Sequence, residues 1–493
     1  MKTNSLDFDA QVLREKILDL AMRGKLVKQD PNDEPASVLL EKIKAEKEEL
    51  VREKKIKKRE LNLPKFDKPS DLPAGWVITK LKEITTPLSL NDGDWILSKN
   101  MSDKSEIKLI QLGSIGYGKY INKGFKYITN DTFDELNCTQ IKPGYLLINR
   151  LINKNRLMTT ILPDIDGKLI TAVDICWIAP SEEFDQEFMM YQLMSPEFQK
   201  RVNKLASGST RKRISKGNLI NIPICLPPLE EQSRIAAKIA QLFALLHKVE
   251  SSTQQYAKLQ TLLKSKVLDL AMRGKLVEQD THDEPASVLL EKIKAEKAEI
   301  VKEKKIKKSK PLPPITDEEK PFDIPDSWEW VRLGDVYHFV DYRGKTPHKI
   351  SSGIRLITAK NVRNGYIKLE PEEFISLEEH KERSTRGLIN KGDIFITTEA
   401  PMGLVALNNF DEPIATAQRL ITLQKVSKYQ DSSFAAFQMQ SSFFQKELQQ
   451  KATGSTVKGI KASNLKQVLI LIPPLAEQRR TVKKISQVLK LLK

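Results

Sequence analysis

Residues 18–58 of this chain, LDLAMRGKLVKQDPNDEPASVLLEKIKAEKEELVREKKIKK, occur a second time at residues 268–308. The offset is a constant 250, and the copies differ only at Lys28/Glu278, Pro31/Thr281, Asn32/His282, Glu48/Ala298, Leu50/Ile300 and Arg52/Lys302. A second pair, ASGSTRKRISKGNLINIPICLPPLEEQSRI from Ala206 and ATGSTVKGIKASNLKQVLILIPPLAEQRRT from Ala452, is shifted by 246. A weaker third, LPAGWVITKLKEI from Leu72 and IPDSWEWVRLGDV from Ile324, is shifted by 252. A chain of 493 residues exceeds one hydrophobic core, and repeats of this kind make it a duplicated structure rather than one large domain.

Local patterns fill in the repeat. Leu6, Leu13, Ile17 and Leu20 recur at helical spacing and predict a helix over residues 5–23 with Gly24 as its stop. Asp33-Glu34-Pro35 opens a second helix, predicted to about Lys58, with Leu39, Ile43 and Leu50 on one stripe. Pairs Glu48/Arg52 and Glu53/Lys57 support it, and the run KKIKKRE reads as its solvated end. A proline-rich stretch then leads into β-rich runs: WVITKLKEI, IKLIQLGSI, YLLINRL and LITAVDICWIA. Residues 183–205 read as helix and NIPICLPP as a closing strand, so this region is a mixed α/β domain.

From Leu229 the pattern changes to a heptad seam, Ile235, Ile239, Leu242, Leu246 and Val249, continuing through Tyr256, Leu259, Leu263, Val267 and Leu270, with Thr253 a polar interruption. The second half repeats the order and ends on a helix with Thr481, Ile485, Val488 and Leu492. Under the two offsets, Lys493 maps to position 247 and Met1 to position 251, both in the middle of the long central helix. The chain is therefore a cyclic two-fold repeat opened inside one helix. The expected fold is two α/β (α+β) globular domains separated by long antiparallel coiled-coil helices, the intact central helix packing on a composite of the two terminal ones. The two domains are expected at opposite ends of that rod. The expected boundaries are helical residues 1–60, a domain over 61–228, a central helical region over 229–310, a second domain over 311–474 and a closing helix over 475–493.

Composition narrows the function. Lys and Arg (81) exceed Asp and Glu (64), a net charge of +17 that favours a polyanionic partner. Cys138, Cys176 and Cys225 form no CxxC pair, and the five histidines are dispersed without ligand spacing, so neither a disulfide framework nor a metal site is expected. The N-terminus has no apolar core and no run approaches the length of a membrane span, which points to the cytoplasm.

The helical segments are nearly identical, whereas the globular regions share little beyond their borders. Matching surfaces suit two copies of one partner, and diverged domains suit two different targets. This order, with the paired borders Gly208-Ser209-Thr210…Pro227-Pro228-Leu229-Glu230-Glu231-Gln232 and Gly454-Ser455-Thr456…Pro473-Pro474-Leu475-Ala476-Glu477-Gln478, resembles the specificity subunits of type I restriction-modification systems over the whole chain. The resemblance implies two target recognition domains that each read one half of a split, asymmetric sequence in double-stranded DNA. It further implies helices that space the domains and dock two adenine methyltransferase subunits, with ATP-dependent restriction subunits as optional further components. S-adenosylmethionine, ATP and Mg are then expected on those partners, with no cofactor in this chain. Sequence chemistry agrees with a non-catalytic role. Leu226 and Ile472 precede Pro-Pro where an amino-methyltransferase needs Asp or Asn, and Ser207-Gly208-Ser209-Thr210-Arg211-Lys212 does not make a GxxxxGK[ST] phosphate loop.

Candidate DNA contacts are basic, amide and hydroxyl residues at loops and strand ends, because Arg and Lys match guanine edges and Asn and Gln match adenine. In the second domain these are Tyr342, Arg343, Gly344, Lys345 and Thr346, where the resemblance places a DNA-facing loop, then Lys360, Asn361, Arg363, Thr398 and Arg419. In the first they are Gln111, Ser114, Tyr117 and Lys119, then Arg150, Asn153, Lys154 and Arg156. Arg211, Lys212, Arg213 and Lys458 beside the GST borders are expected to touch phosphates, which position a protein without specifying sequence. The competing reading is a coiled-coil scaffold whose end domains bind other ligands. It leaves the basic charge and the divergence of the domains unexplained.

Overall fold

The computed structural model describes residues 9–58, 72–342, 346–384, 387–417, 419–454 and 458–492. The chain divides into two compact units, residues 5–253 and residues 254–493 with 1–4. The division falls inside the 44-residue helix Leu229–Met272, close to where both termini map by sequence.

The first helix of the chain is Ala10–Met22, and the expectation for residues 5–8 lies outside the described residues. Asp9 starts it by accepting from the backbone N–H groups of Gln11 and Val12. The second helix, Ala36–Arg52, stops short of Lys58 because Lys54 turns left-handed, with φ 61°. Lys55 N–H then donates back to Leu50 O at 2.9 Å and Ile56 folds into burial, an αL-type C-cap made without glycine. The second copy, Ala286–Lys302, ends alike, with Lys304 at φ 58°.

In the unit of residues 5–253 the strands are β1 (Val77–Lys80), β2 (Leu90–Asp92), β3 (Ile107–Ile110), β4 (Lys126–Ile128), β5 (Leu146–Asn153), β6 (Arg156–Ile161), β7 (Lys168–Thr171), β8 (Ile175–Ile178) and β9 (Pro223–Leu226). They form an antiparallel sheet β2-β8-β5-β6, a mixed sheet β4-β3-β7 in which β3 and β7 run parallel, and an antiparallel clasp of β1 with β9. The other unit has β10 (Glu329–Arg332), β11 (Tyr337–Asp341), β12 (Ile354–Ile357), β13 (Val362–Arg363), β14 (Tyr366–Ile367), β15 (Phe374–Ile375), β16 (Ile394–Thr397), β17 (Val405–Leu407), β18 (Ile414–Thr416), β19 (Leu420–Lys425) and β20 (Leu469–Ile472). Its sheets, β11-β19-β16-β17, β15-β12-β18 and the clasp β10-β20, repeat the same order and strand directions, and a hairpin β13-β14 is added. The two domains match strand for strand where their sequences do not.

Several expected elements break where the backbone must change sheet. Residues 81–84 of WVITKLKEI are a helical turn. LITAVDICWIA is two strands in two different sheets, β7 and β8. The helix expected over 183–205 is two, Gln186–Met194 and Pro196–Leu205, split where Ser195 takes an extended conformation before proline. The strands of the larger sheet are apolar in runs because both faces are covered. Leu146, Ile148 and Cys176 pack with Phe188, Phe198, Leu18 and Ile235, whereas Leu147, Ile175 and Trp177 face a second core with Ile110 and Leu169.

The PPL-x-EQ border proves to be a buried junction. Glu231 accepts from Trp76 Nε1 and from Gln29 Nε2, both at 2.9 Å, and Gln232 accepts from Asp185 N–H while donating to Pro227 O, both at 3.0 Å. Arg234 pairs with Asp33. The copy is complete: Glu477 accepts from Trp328 and Gln279, Gln478 bridges Asp431 N–H and Pro473 O, and Arg480 pairs with Asp283.

Helix Leu229–Met272 is about 66 Å long at 1.5 Å per residue. Within each unit a terminal helix lies antiparallel along it. Arg14 pairs with Glu250 while Leu18 shares a core with Ile239, and Gln260 donates to Leu492 O while Ile485 shares a core with Val267. The expected seam is buried only toward its ends: Ile235 and Ile239 are 0% exposed, but Val249 is 45%, Tyr256 60%, Leu259 55% and Leu263 45% exposed. The described terminal helices reach the sequence counterparts of about residues 245 and 260, so the middle of the seam has no described helix beside it.

Candidate nucleic-acid interface

The GST border of the first domain is a tight hairpin, with Ser207 and Arg213 exchanging backbone hydrogen bonds at 3.0 and 2.8 Å. Gly208, at φ 111°, is required there, because a Cβ would lie 2.5 Å from Arg211 O. The hairpin docks on the end of β5: Ile152 N–H donates to Lys212 O and Ile214 N–H to Arg150 O. Arg150 N–H in turn donates to Asp174 O. In the second domain Thr398 takes the place of Arg150, donating to Arg419 O and accepting from Ile460 N–H, both at 2.9 Å. The same backbone lattice thus brings together Arg150, Asp174 and Arg213 in one domain and Thr398, Arg419 and Gly459 in the other.

The side chains on that lattice differ. Arg150 is buried, donates to Ile214 O and Val173 O, and pairs with Asp92 at 2.9 Å, so its guanidinium braces the loops and leaves no face for a base edge. Burial pushes the Asp92 carboxyl above its ordinary value, against the downward pull of Arg150 and Lys216. Arg213 pairs with Asp174 at 2.6 Å yet stays 44% exposed, and Arg211 and Lys212 are exposed on the hairpin. In the second domain Arg419 adopts φ 66°, pairs with Glu399 at 3.1 Å and is 59% exposed. Lys458 is exposed on the equivalent border.

A cleft of about 970 Å³ opens next to Arg419, lined among others by Thr346, Lys349, Lys360, Arg363 and Lys368. Lys360 is exposed and Arg363 half-buried with its guanidinium on Lys360 O and Val362 O. Asn361 is buried with its hydrogen bonds filled: it is 1% exposed, its carboxamide oxygen accepts from Thr358 and its amide donates to Lys368 O, Leu369 O and Pro371 O. Tyr342 is buried and donates to Gly387 O, while Arg343, Gly344 and Lys345 lie outside the described residues.

The remaining first-domain candidates fall in two places. Gln111, Ser114, Tyr117 and Lys119 follow β3, the counterpart of β12 before Lys360 and Arg363. Ser114 is fully buried, Gln111 half-buried and Lys119 exposed. Tyr117 donates to Met194 O at 2.6 Å under the Arg156 guanidinium, and burial pushes its hydroxyl up to about 12. Asn153, Lys154 and Arg156 belong to the β5–β6 turn, where Lys154 and Asn155 both take positive φ, and Arg156 pairs with Glu15 at 3.3 Å.

Sequence reasoning missed Lys216, which donates to Asn91 at 2.7 Å, and Lys349 in the cleft. The signal for both is topological, since only the fold brings Lys216 to β2 and Lys349 to the cleft. Among the described residues no group of His, Cys, Asp or Glu is placed to hold a metal, and no helix is long and apolar enough to cross a membrane.

Comparison with known proteins agrees with this duplicated architecture. The profile of the type I restriction modification DNA specificity domain matches residues 73–259 and 325–493. The chain is 32% identical to the Escherichia coli type I restriction enzyme EcoAI specificity subunit, over 97% of this chain and 88% of that one. It is 28% identical to the EcoEI specificity subunit of the same organism, over 97% and 89%. A solved chain from work on the complex assembly and conformational transition of the type I R-M system shares the fold at TM-score 0.56 and 21% identity, covering 86% of this chain and 92% of that one. Two copies of the matching domain, one in each half of a cyclic repeat, place this chain in the family of type I restriction-modification specificity subunits.

Proposed function

We propose that this chain is the non-catalytic DNA-reading subunit of a cytoplasmic type I restriction-modification complex. Each domain reads one half of a split, asymmetric duplex sequence, and two methyltransferase subunits dock on the helices. S-adenosylmethionine, ATP and Mg are supplied with the partner subunits. The observation that carries this reading is the pairing of one backbone lattice with two side-chain sets: Arg150, Asp174 and Arg213 against Thr398, Arg419 and Gly459. A scaffold has no use for two such surfaces, whereas a reader of two different half-sites does. Two-copy docking is supported by equivalent exposed apolar pairs, Val12 (58%) with Leu13 (40%) and Leu262 (65%) with Leu263 (45%).

The test is to map methylated adenines in cells carrying this chain and its methyltransferase partner, then to exchange residues 311–472 for those of a relative. A split, non-palindromic motif with only one half altered is expected. Alteration of both halves refutes the two-reader assignment, and methylation by the purified chain alone refutes the non-catalytic one.

A further inference from the structure

The chain has five tryptophans. Four are buried: Trp76 (1% exposed), Trp177 (4%), Trp328 (3%) and Trp330 (8%). Trp95 is 69% exposed. A single exposed apolar residue is ordinary, so its surroundings decide what it means.

Three observations bear on it. First, the loop carrying it is held in place. Gly93 N–H donates to Ile175 O at 2.7 Å and Asp94 N–H to Thr171 O at 2.8 Å, and the Asp94 carboxylate accepts from Thr139 N–H at 2.9 Å. A Cβ on Gly93 would sit 2.4 Å from Ala172 O, so the backbone is drawn tight against the end of β7. Ile96 packs into the small core of Ile107, Ile128 and Ile170, which leaves Trp95 and Leu97 on either side of it facing out. The indole is therefore displayed from a fixed backbone, and little ordering is needed when something covers it.

Second, the loop follows β2 as the loop of Thr346 and Lys349 follows β11, and those residues line the cationic cleft of the second domain. Third, its root is cationic: Lys216 donates to Asn91, and Asp92 is matched by Arg150. At that root a polyanion meets Lys216 and the exposed Arg211, Lys212 and Arg213, while the exposed Asp131, Asp134 and Glu135 sit on the helix whose Phe133 packs with Ile96. The cationic root suits nucleic acid better than an apolar protein surface as the covering partner.

We propose that Trp95 is a DNA-contacting residue of the first domain, an aromatic side chain that stacks on or wedges between bases at the edge of the half-site while the adjoining cations hold the phosphates. The proposal rests on the DNA-reading function proposed above. It adds a specific contact at a position where the second domain, with its own loop sequence, reads differently.

Because the other four tryptophans are buried, acrylamide quenching of the full chain reports Trp95 almost alone, and Trp95→Phe gives the background. The probe is a dye-labelled duplex carrying the mapped methylation motif, with dye anisotropy as an independent record of binding. The expected result is that duplex binding removes the quenchable fraction, that Trp95→Ala weakens binding about tenfold, and that Trp95→Phe recovers most of the loss. Anisotropy showing binding while quenching stays unchanged overturns the Trp95 contact and leaves the DNA-reading function standing. Loss of quenching on adding the methyltransferase subunit without DNA also overturns it and assigns the indole to a protein interface. Absence of any duplex binding overturns both.

Discussion

Trp328 donates its indole N–H to Glu477 at 2.8 Å, tying the strand that begins the second domain to the helix that leaves it. Glu477 is 1% exposed, and its burial holds the carboxyl above the ordinary 4.5 although Trp328 and Gln279 pull it down. Removing it in Glu477→Ala orphans both donors and is expected to lower stability by about 2 kcal/mol in chemical denaturation. A raised carboxyl contributes stability that is complete below the unfolded value and lost as pH climbs through the folded one. The stability of the native chain relative to Glu477→Gln should therefore fall as pH rises from below 4.5. A difference that is flat with pH contradicts this account of the junction.

Arg150 tests the distinction between bracing and reading. Arg150→Ala leaves Asp92 and two backbone carbonyls without their cation, and the expected loss is about 3 kcal/mol in unfolding free energy. The methylation motif of any protein that still folds should be unchanged. A variant of native stability with a relaxed half-site would make Arg150 a base reader after all.

Phosphate contacts leave a different trace. Arg211→Ala and Lys458→Ala, each on an exposed border, should weaken duplex binding equally for all sequences and flatten the salt dependence by about one unit of slope each. Titrations over a range of salt concentrations decide it. A change of sequence preference with unchanged slope would argue for base contact instead.

Lengthening helix Leu229–Met272 by one heptad near its exposed middle should leave both half-sites intact and alter the number of unread base pairs between them. Methylome mapping reads this directly. Loss of one half-site with the spacing unchanged would show that the helix does not set the separation.

The duplication, the long helix and the two mixed domains were legible because repetition and heptad spacing are properties of sequence alone. Helix ends were less so: Lys54 and Lys304 make left-handed caps that lysine gives no hint of, since the backbone bonds to Leu50 and Ile300 decide the matter. Tyr256 and Leu259 of the heptad seam are exposed, because apolar spacing says which face a helix offers and nothing about what lies beside it. At the site, residue type alone could not tell Arg150 or Asn361, consumed by carbonyls, from the exposed Arg419 and Lys458. Trp95 was invisible for the same reason, as exposure is a property of the folded loop.

The clasp in which β1 pairs with β9, and β10 with β20, has a consequence for how such a protein changes over time. Each domain begins and ends in one two-stranded ribbon, welded to the frame by a tryptophan and a glutamate from the border motifs. A segment exchanged between the ribbon's two ends therefore meets the frame at the ribbon and at the core that Leu146, Ile148 and Phe188 share with Leu18 and Ile235. The nearly identical helical segments, residues 18–58 and 268–308, lie outside the two ribbons.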